Sequence, residues 1–127
     1  MKAAKRASRI EGIGRPRVEP SFLPSVIDRM LVIPDAASIA TIWWLESVLG
    51  RKCGGSTGTN LCGALQIVAE MLKAGESGSV VTMICDPGER YLGTYYNEDW
   101  IRSENLELEP NIQRLKRFST SGQLALG

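Results

Sequence analysis

The sequence contains no histidine among its 127 residues. Ser–His and Cys–His nucleophile pairs are therefore excluded within this chain, as is every metal site that needs an imidazole ligand. Only three cysteines are present, Cys53, Cys62 and Cys85, and their spacing fits neither a CxxC pair nor a zinc cluster. We interpret them as reduced thiols of an intracellular, cytoplasmic protein, with small buried side chains, and we predict no metal site.

An excess of charge and long apolar runs are also lacking. Fifteen basic and 14 acidic residues give a net charge of +1, which does not support a nucleic-acid or membrane surface. No stretch approaches the roughly 18 apolar residues of a membrane span. The basic start is followed by no apolar run, so it does not predict a secretion signal. The length fits one domain or part of one.

Two short apolar runs bracket the middle of the chain. RMLVI (29–33) and SVVTMIC (79–85) are each followed by proline or glycine, which is typical of buried strands. With two helical patterns between them, the order predicts an α/β layered domain with a mostly parallel sheet and flanking helices. We divide the chain into a loose start (1–9), a main unit (10–102), and a peripheral helix with a mobile tail (103–127).

The two helical patterns carry their own boundary signals. The first follows Asp35, which is placed after Pro34 to cap a helix, and it ends at Gly50. Within it Trp43 and Trp44 are adjacent, so one is expected in the core and the other on a surface that another chain covers. The second amphipathic pattern starts at Leu61 and ends before Gly75.

Between these helices lies the stretch GGSTGTN (54–60), which is rich in glycine and small polar residues. A loop of this kind at a helix N-terminus presents unpaired N–H groups to a ligand that approaches the backbone closely. It lacks the lysine of a GxxxxGK[ST] phosphate loop and the spacing of a GxGxxG dinucleotide motif. A purely structural interpretation remains open, in which Thr59 or Asn60 is the helix N-cap and Ser56 a turn residue.

Three motifs in a fixed order resemble one enzyme family. EGIG (11–14), GGSTG (54–58) and DPGERYL (86–92) resemble the C-terminal part of the cysteine synthase and cystathionine β-synthase family, over residues 9 to about 102. These enzymes depend on pyridoxal 5'-phosphate (PLP) and have the tryptophan-synthase-β fold, also called fold type II. The resemblance implies that the chain is the C-terminal segment of the large PLP-binding domain.

The resemblance also implies a set of site residues. Ser56 aligns with the serine that hydrogen-bonds the pyridine nitrogen of PLP, and the glycines beside it are expected to let the flat ring approach the backbone. The implied cofactor-binding set is Gly54, Gly55, Ser56, Thr57, Asp86 and Pro87. Gly12, Ile13 and Gly14 resemble the segment near the substrate amino group. Arg15 departs from the small or aromatic residue that is frequent in the family, so substrate specificity does not carry over.

No catalytic residue is assigned. In the family the lysine that forms the Schiff base lies upstream, in a serine-x-lysine context, and none of the five lysines here has that setting: Lys2, Lys5, Lys52, Lys73 and Lys116. We therefore expect a segment from a truncated reading frame or a split gene, inactive alone. Its sheet would have an open edge, which favours association.

Several functions remain open at this stage. The parent activity implied by the resemblance is either β-replacement, as in a cysteine synthase, or β-elimination, as in a cysteine desulfhydrase, on a small amino-acid substrate. A different class is a non-catalytic remnant that binds another chain, such as an N-terminal half or a second copy. A third is a small α/β anion-binding module. No nucleic acid or membrane partner is predicted.

Overall fold

Helices form the regular structure of this protein, which a computed structural model describes for residues 7–124. The four α-helices are α1 (Asp35–Leu49), α2 (Gly55–Ala74), α3 (Glu98–Ser103) and α4 (Glu109–Ser121), and two single 3₁₀ turns span Pro24–Val26 and Gly88–Tyr91. The end of the predicted mobile tail (125–127) and most of the predicted loose start (1–6) lie outside the described residues. No helix in the described part is long and apolar enough to cross a membrane.

Helix α1 ends where the sequence predicted but starts differently. Gly50 closes it in the left-handed conformation, with φ of 74° and its N–H donated to the Glu46 carbonyl. The N-cap is Pro34, so the prediction that Asp35 caps the helix is wrong. The Asp35 carboxylate instead accepts hydrogen bonds from the Ser8 hydroxyl (2.6 Å) and the Arg9 N–H (2.9 Å). It ties the incoming chain to the start of α1.

Helix α2 begins earlier than its apolar pattern indicates. Its first residue is Gly55, its N-cap is Gly54, and it ends at Gly75, which has φ of 67°. The GGSTGTN stretch is therefore mostly the first turns of a helix and not a loop. The structural interpretation with Thr59 or Asn60 as N-cap is wrong, since both lie inside the helix.

The two predicted strands form no ladder. Residues 29–33 and 79–85 are neither helical nor paired, and the one bridge between extended residues in the described part joins Cys53 to Pro87. A strand is stabilised by a hydrogen-bonded neighbour, and neither segment has one here. Their outer side chains are exposed, Val32 at 91% and Val81 at 89%. The layered α/β domain with a mostly parallel sheet therefore stays a prediction.

Helix α1 lies at the centre of the packing. Ile39 and Ile42 are fully buried, and α1 contacts both α2 and α4. The helix predicted in the C-terminal part is α4, in which Ile112 packs against this core and Leu115 is buried. Trp43 packs against the core and donates its indole N–H to the Tyr95 carbonyl at 2.7 Å. The neighbouring Trp44 is half-buried.

Candidate functional site

Two of the three sequence motifs are joined through their backbones. The Gly54 N–H donates to the Asp86 carbonyl at 2.9 Å, and the Gly88 N–H donates to the Lys52 carbonyl at 3.0 Å. These bonds flank the bridge between Cys53 and Pro87. The N-terminus of α2 is thus fixed against the DPGERY turn, although more than 25 residues separate them in sequence.

The space left by the motif glycines is filled by the chain itself. A Cβ on Gly54 would lie 1.8 Å from Asp86 Oδ1. A Cβ on Gly55 would lie 2.8 Å from the Tyr95 ring and 3.2 Å from Ile10. Both distances to the nearest atom are shorter than real Cβ contacts, so each glycine is needed for close packing. Ile10 comes from the segment that precedes EGIG, so the third motif is anchored at the same place.

Some hydroxyl groups of the glycine stretch have hydrogen-bond partners within the described part of the protein, and one does not. Thr57 Oγ1 accepts the Cys85 N–H at 2.9 Å, and Thr59 Oγ1 shares a hydrogen bond with Ser38 Oγ at 2.7 Å. Within residues 7–124 the half-buried Ser56 hydroxyl has no hydrogen-bond partner. Ser56 therefore carries the donor and acceptor that remain for a ligand at this turn.

The dipole of helix α2 also favours a ligand beside Ser56. Ser56 lies in the first turn of the 20-residue helix α2, where backbone N–H groups have no acceptor one turn back. The aligned peptide dipoles place partial positive charge there. A group that carries a lone pair or negative charge is favoured at this position.

Asp86 is directed into the protein. Its Oδ2 accepts the Tyr91 hydroxyl at 2.5 Å, and the Arg90 guanidinium lies 3.9 Å away. The hydrogen bond to this carboxylate, together with burial, raises the pKa of Tyr91 to about 12. The Asp86 side chain is thus engaged with Tyr91, while the exposed Pro87 takes part in the bridge to Cys53.

The Gly12–Ile13–Gly14 turn stands apart from the glycine stretch. Gly12 and Gly14 both have positive φ, 85° and 67°, and the Gly14 carbonyl accepts the Ser8 N–H at 2.8 Å. Ile13 is 37% exposed. In the described structure no hydrogen bond joins this turn to Ser56, so its proximity to a substrate stays a prediction.

Sequence reasoning missed two tyrosines that hold these motifs, Tyr95 and Tyr96. Tyr95 and Tyr96 direct their hydroxyls at backbone groups of Arg9, Glu11 and Cys53. The available signal was their density, because all three tyrosines of the chain fall between positions 91 and 96.

No protein-family model matches the chain, but individual proteins do. It is 59% identical to the L-cysteine desulfhydrase Cds1 of Mycobacterium tuberculosis over 91% of this chain and 31% of that protein. It is 37% identical to a putative cysteine synthase of Sinorhizobium fredii over 68% of this chain and 24% of that protein. It is 36% identical to a putative pyridoxal-phosphate dependent protein of Caenorhabditis elegans over 64% of this chain and 19% of that protein.

These relatives confirm the resemblance that the motifs indicated. The chain belongs to the family of cysteine synthases, cystathionine β-synthases and cysteine desulfhydrases. It spans less than a third of the length of each of the three relatives described above.

Proposed function

We propose that this chain is part of a PLP-dependent enzyme of cysteine metabolism and forms one wall of its cofactor site. Family membership and the names of its relatives support the cofactor and the substrate class. The observation that carries the proposal is the free Ser56 hydroxyl in the first turn of α2, beside the backbone hydrogen bonds that join the GGSTG and DPGERY motifs.

The donors present fit the pyridine ring of PLP. When bound, PLP withdraws electrons from the Cα of an amino-acid substrate. The Ser56 hydroxyl can donate to an unprotonated ring nitrogen or accept from a protonated one. A hydroxyl leaves the ring nitrogen largely neutral, whereas a carboxylate would hold it protonated and strengthen electron withdrawal. A weaker electron sink suits reactions that expel a group from Cβ.

Among such reactions we favour β-elimination from cysteine, which releases sulfide. The 59% identity to a protein named L-cysteine desulfhydrase exceeds the 37% identity to a putative cysteine synthase. β-Replacement with sulfide remains the second candidate. The three free thiols, Cys53, Cys62 and Cys85, support a reducing compartment, and we place the protein in the cytoplasm.

The predicted sheet belongs to the same proposal. Residues 30–33 alternate in burial, with Leu31 and Ile33 towards α2 and Val32 outward, as in a strand covered on one face. Residues 79–85 are apolar and largely exposed. In the complete enzyme we expect both segments to become strands of a mostly parallel fold type II sheet, with this chain as the C-terminal part of the PLP-binding domain.

The remaining part of the enzyme would supply the lysine that binds PLP, since no lysine here has the family's context. A non-catalytic remnant that pairs with a second chain is the alternative from another class. The exposed apolar side chains Val32 and Val81 suit either interpretation. Purification from the native cell separates them, because the remnant would be recovered with an intact partner enzyme.

The test of the cofactor role replaces Ser56 in an enzyme that contains this segment together with the lysine-bearing part. Loss of a hydrogen bond in Ser56→Ala costs about 0.5–1.5 kcal/mol, so sulfide release should fall by roughly twofold to twelvefold. Ser56→Asp should shift the PLP absorption spectrum towards the protonated ring. The control is Ser119→Ala on α4, since that hydroxyl is exposed and bonds only the Lys116 carbonyl. Identical spectra and turnover in all variants would reject the proposed role of Ser56.

A further inference from the structure

Three tyrosines in one short segment each form hydrogen bonds with a different sequence motif or with the residues just before it. Tyr91, Tyr95 and Tyr96, here called the tyrosine cluster, lie within the seven residues that follow DPGE in the sequence. The Tyr91 and Tyr95 rings are stacked, with centroids 4.7 Å apart, and the Tyr95 ring meets the Trp100 indole edge-on. The Tyr96 ring stacks on the Trp43 indole. Because the rings are fixed by packing, their hydroxyls occupy defined positions.

Tyr96 holds the residue that precedes the glycine stretch. Its hydroxyl donates to the Cys53 carbonyl at 2.6 Å and accepts the Cys53 N–H at 3.1 Å. Cys53 is 1% exposed, so neither backbone group has access to water. One phenol therefore satisfies both polar groups of the peptide backbone that leads into Gly54 and α2.

Tyr95 holds the segment that leads into the EGIG turn. Its hydroxyl donates to the Arg9 carbonyl and accepts the Glu11 N–H, both at 2.8 Å. The same tyrosine is 2% exposed, and its ring fills the space beside Gly55. It thus connects the EGIG segment with the first residue of α2.

The third member of the tyrosine cluster, Tyr91, acts on the side chain of Asp86. Its hydroxyl donates to Asp86 Oδ2, while Asp86 Oδ1 occupies the space where a Cβ on Gly54 would lie. The carboxylate is therefore fixed between the tyrosine and the N-cap of α2. The three motifs are held by three hydroxyls that come from a single turn of the chain.

We propose that Tyr91, Tyr95 and Tyr96 are positioning residues that set the placement of the first turn of α2, and with it the Ser56 hydroxyl, relative to the cofactor. This proposal rests on the proposed function for the cofactor and on the hydrogen bonds above for the geometry. Tyr96 has the most direct role, since it holds Cys53, three residues before Ser56. A purely structural role would lower overall stability without changing how the cofactor ring is held.

The experiment uses Tyr96→Phe, which keeps the ring and removes the hydroxyl. Backbone hydrogen exchange in the 127-residue chain measures the local effect. The absorption spectrum of PLP, in the enzyme that contains this segment, measures the effect on the cofactor. The control is Leu115→Val, which perturbs the buried contact of α4 and touches none of the motifs. Ser56→Ala serves as the reference for a lost ring contact.

We expect Tyr96→Phe to speed exchange at residues 53–57 about fivefold or more, while α4 exchanges as before, since a buried N–H and carbonyl lose their partner. The PLP spectrum should shift in the same direction as in Ser56→Ala, and Leu115→Val should not shift it. A shift in Ser56→Ala with an unchanged spectrum in Tyr96→Phe would overturn the positioning role alone. Exchange that rises uniformly, as in Leu115→Val, would also overturn it. An unchanged spectrum in Ser56→Ala would instead reject the proposed contact of Ser56 with the cofactor ring, on which this proposal rests.

Discussion

Gly58 offers a sharp test of the packing between α1 and α2. A Cβ at this position would lie 2.1 Å from the Ser38 carbonyl oxygen and 2.8 Å from Ile42 Cγ2. The first neighbour is backbone inside α1, so no side-chain rotation relieves the clash and the helices must separate. Overpacking of this kind costs about 1–3 kcal/mol or more. It is opposed by a gain of about 1 kcal/mol, because alanine favours a helix over glycine. We expect Gly58→Ala to lower the free energy of unfolding.

The same helix contains a matched control. A Cβ on Gly63 would lie 3.8 Å and 3.9 Å from the side chains of Leu31 and Ile33, which is ordinary contact. Gly63→Ala should therefore gain the helix preference without the clash and raise the free energy of unfolding by about 0.5–1 kcal/mol. Because the helix preference is gained in both variants, they should differ by the overpacking cost alone, about 1–3 kcal/mol or more.

Urea denaturation followed by circular dichroism at low protein concentration measures both variants against the parent chain. Equal m-values would show that the comparison reports stability and not a change in the unfolded state. A Gly58→Ala chain whose free energy of unfolding equals or exceeds that of Gly63→Ala would refute the argument that α1 and α2 touch at Gly58.

The remaining predictions concern pH, association and activity. Hydrogen bonding to Asp86 raises the pKa of Tyr91 to about 12, and burial raises that of Tyr95. The folded state therefore holds these protons more tightly, so the contribution of these two tyrosines to the unfolding free energy should be constant below about pH 10 and fall as pH rises towards 12; a Tyr91→Phe chain with an unchanged slope between about pH 10 and 12 would contradict this. The exposed Val32 and Val81 should make the purified chain self-associate, and a monodisperse monomer in light scattering would argue against it. Finally, the 127-residue chain with added PLP should release no sulfide from cysteine above the free-PLP background.

The helices show how far local pattern predicts this fold. The ends of α1 and α2 were predicted because Gly50 and Gly75 adopt left-handed conformations that follow from residue type. The start of α2 was missed, since glycine, serine and threonine disfavour helix by themselves. Tertiary contacts of Gly54 with Asp86 and of Gly58 with Ser38 stabilise that start, and local propensity contains no information about them.

The candidate site was likewise predictable from the sequence only in part. The three motifs indicated which segments matter, and the structure brings GGSTG and DPGERY together. The state of each hydroxyl could not be predicted, because Thr57 and Ser56 differ only through the position of Cys85. The role of Tyr96 was equally hidden, since its partner Cys53 lies 43 residues away.

The position of the tyrosine cluster along the chain has a consequence for synthesis. Tyr95 and Tyr96 follow their partners by up to 86 residues, so every segment that they fix emerges from the ribosome first. Chains fold as they emerge, and contacts between distant segments form slowly. Until residue 96 is available, α1 and α2 can form while the backbone of Cys53 and the EGIG segment lack their partners. The proposed cofactor wall therefore becomes ordered after α1 and α2 in a newly made chain.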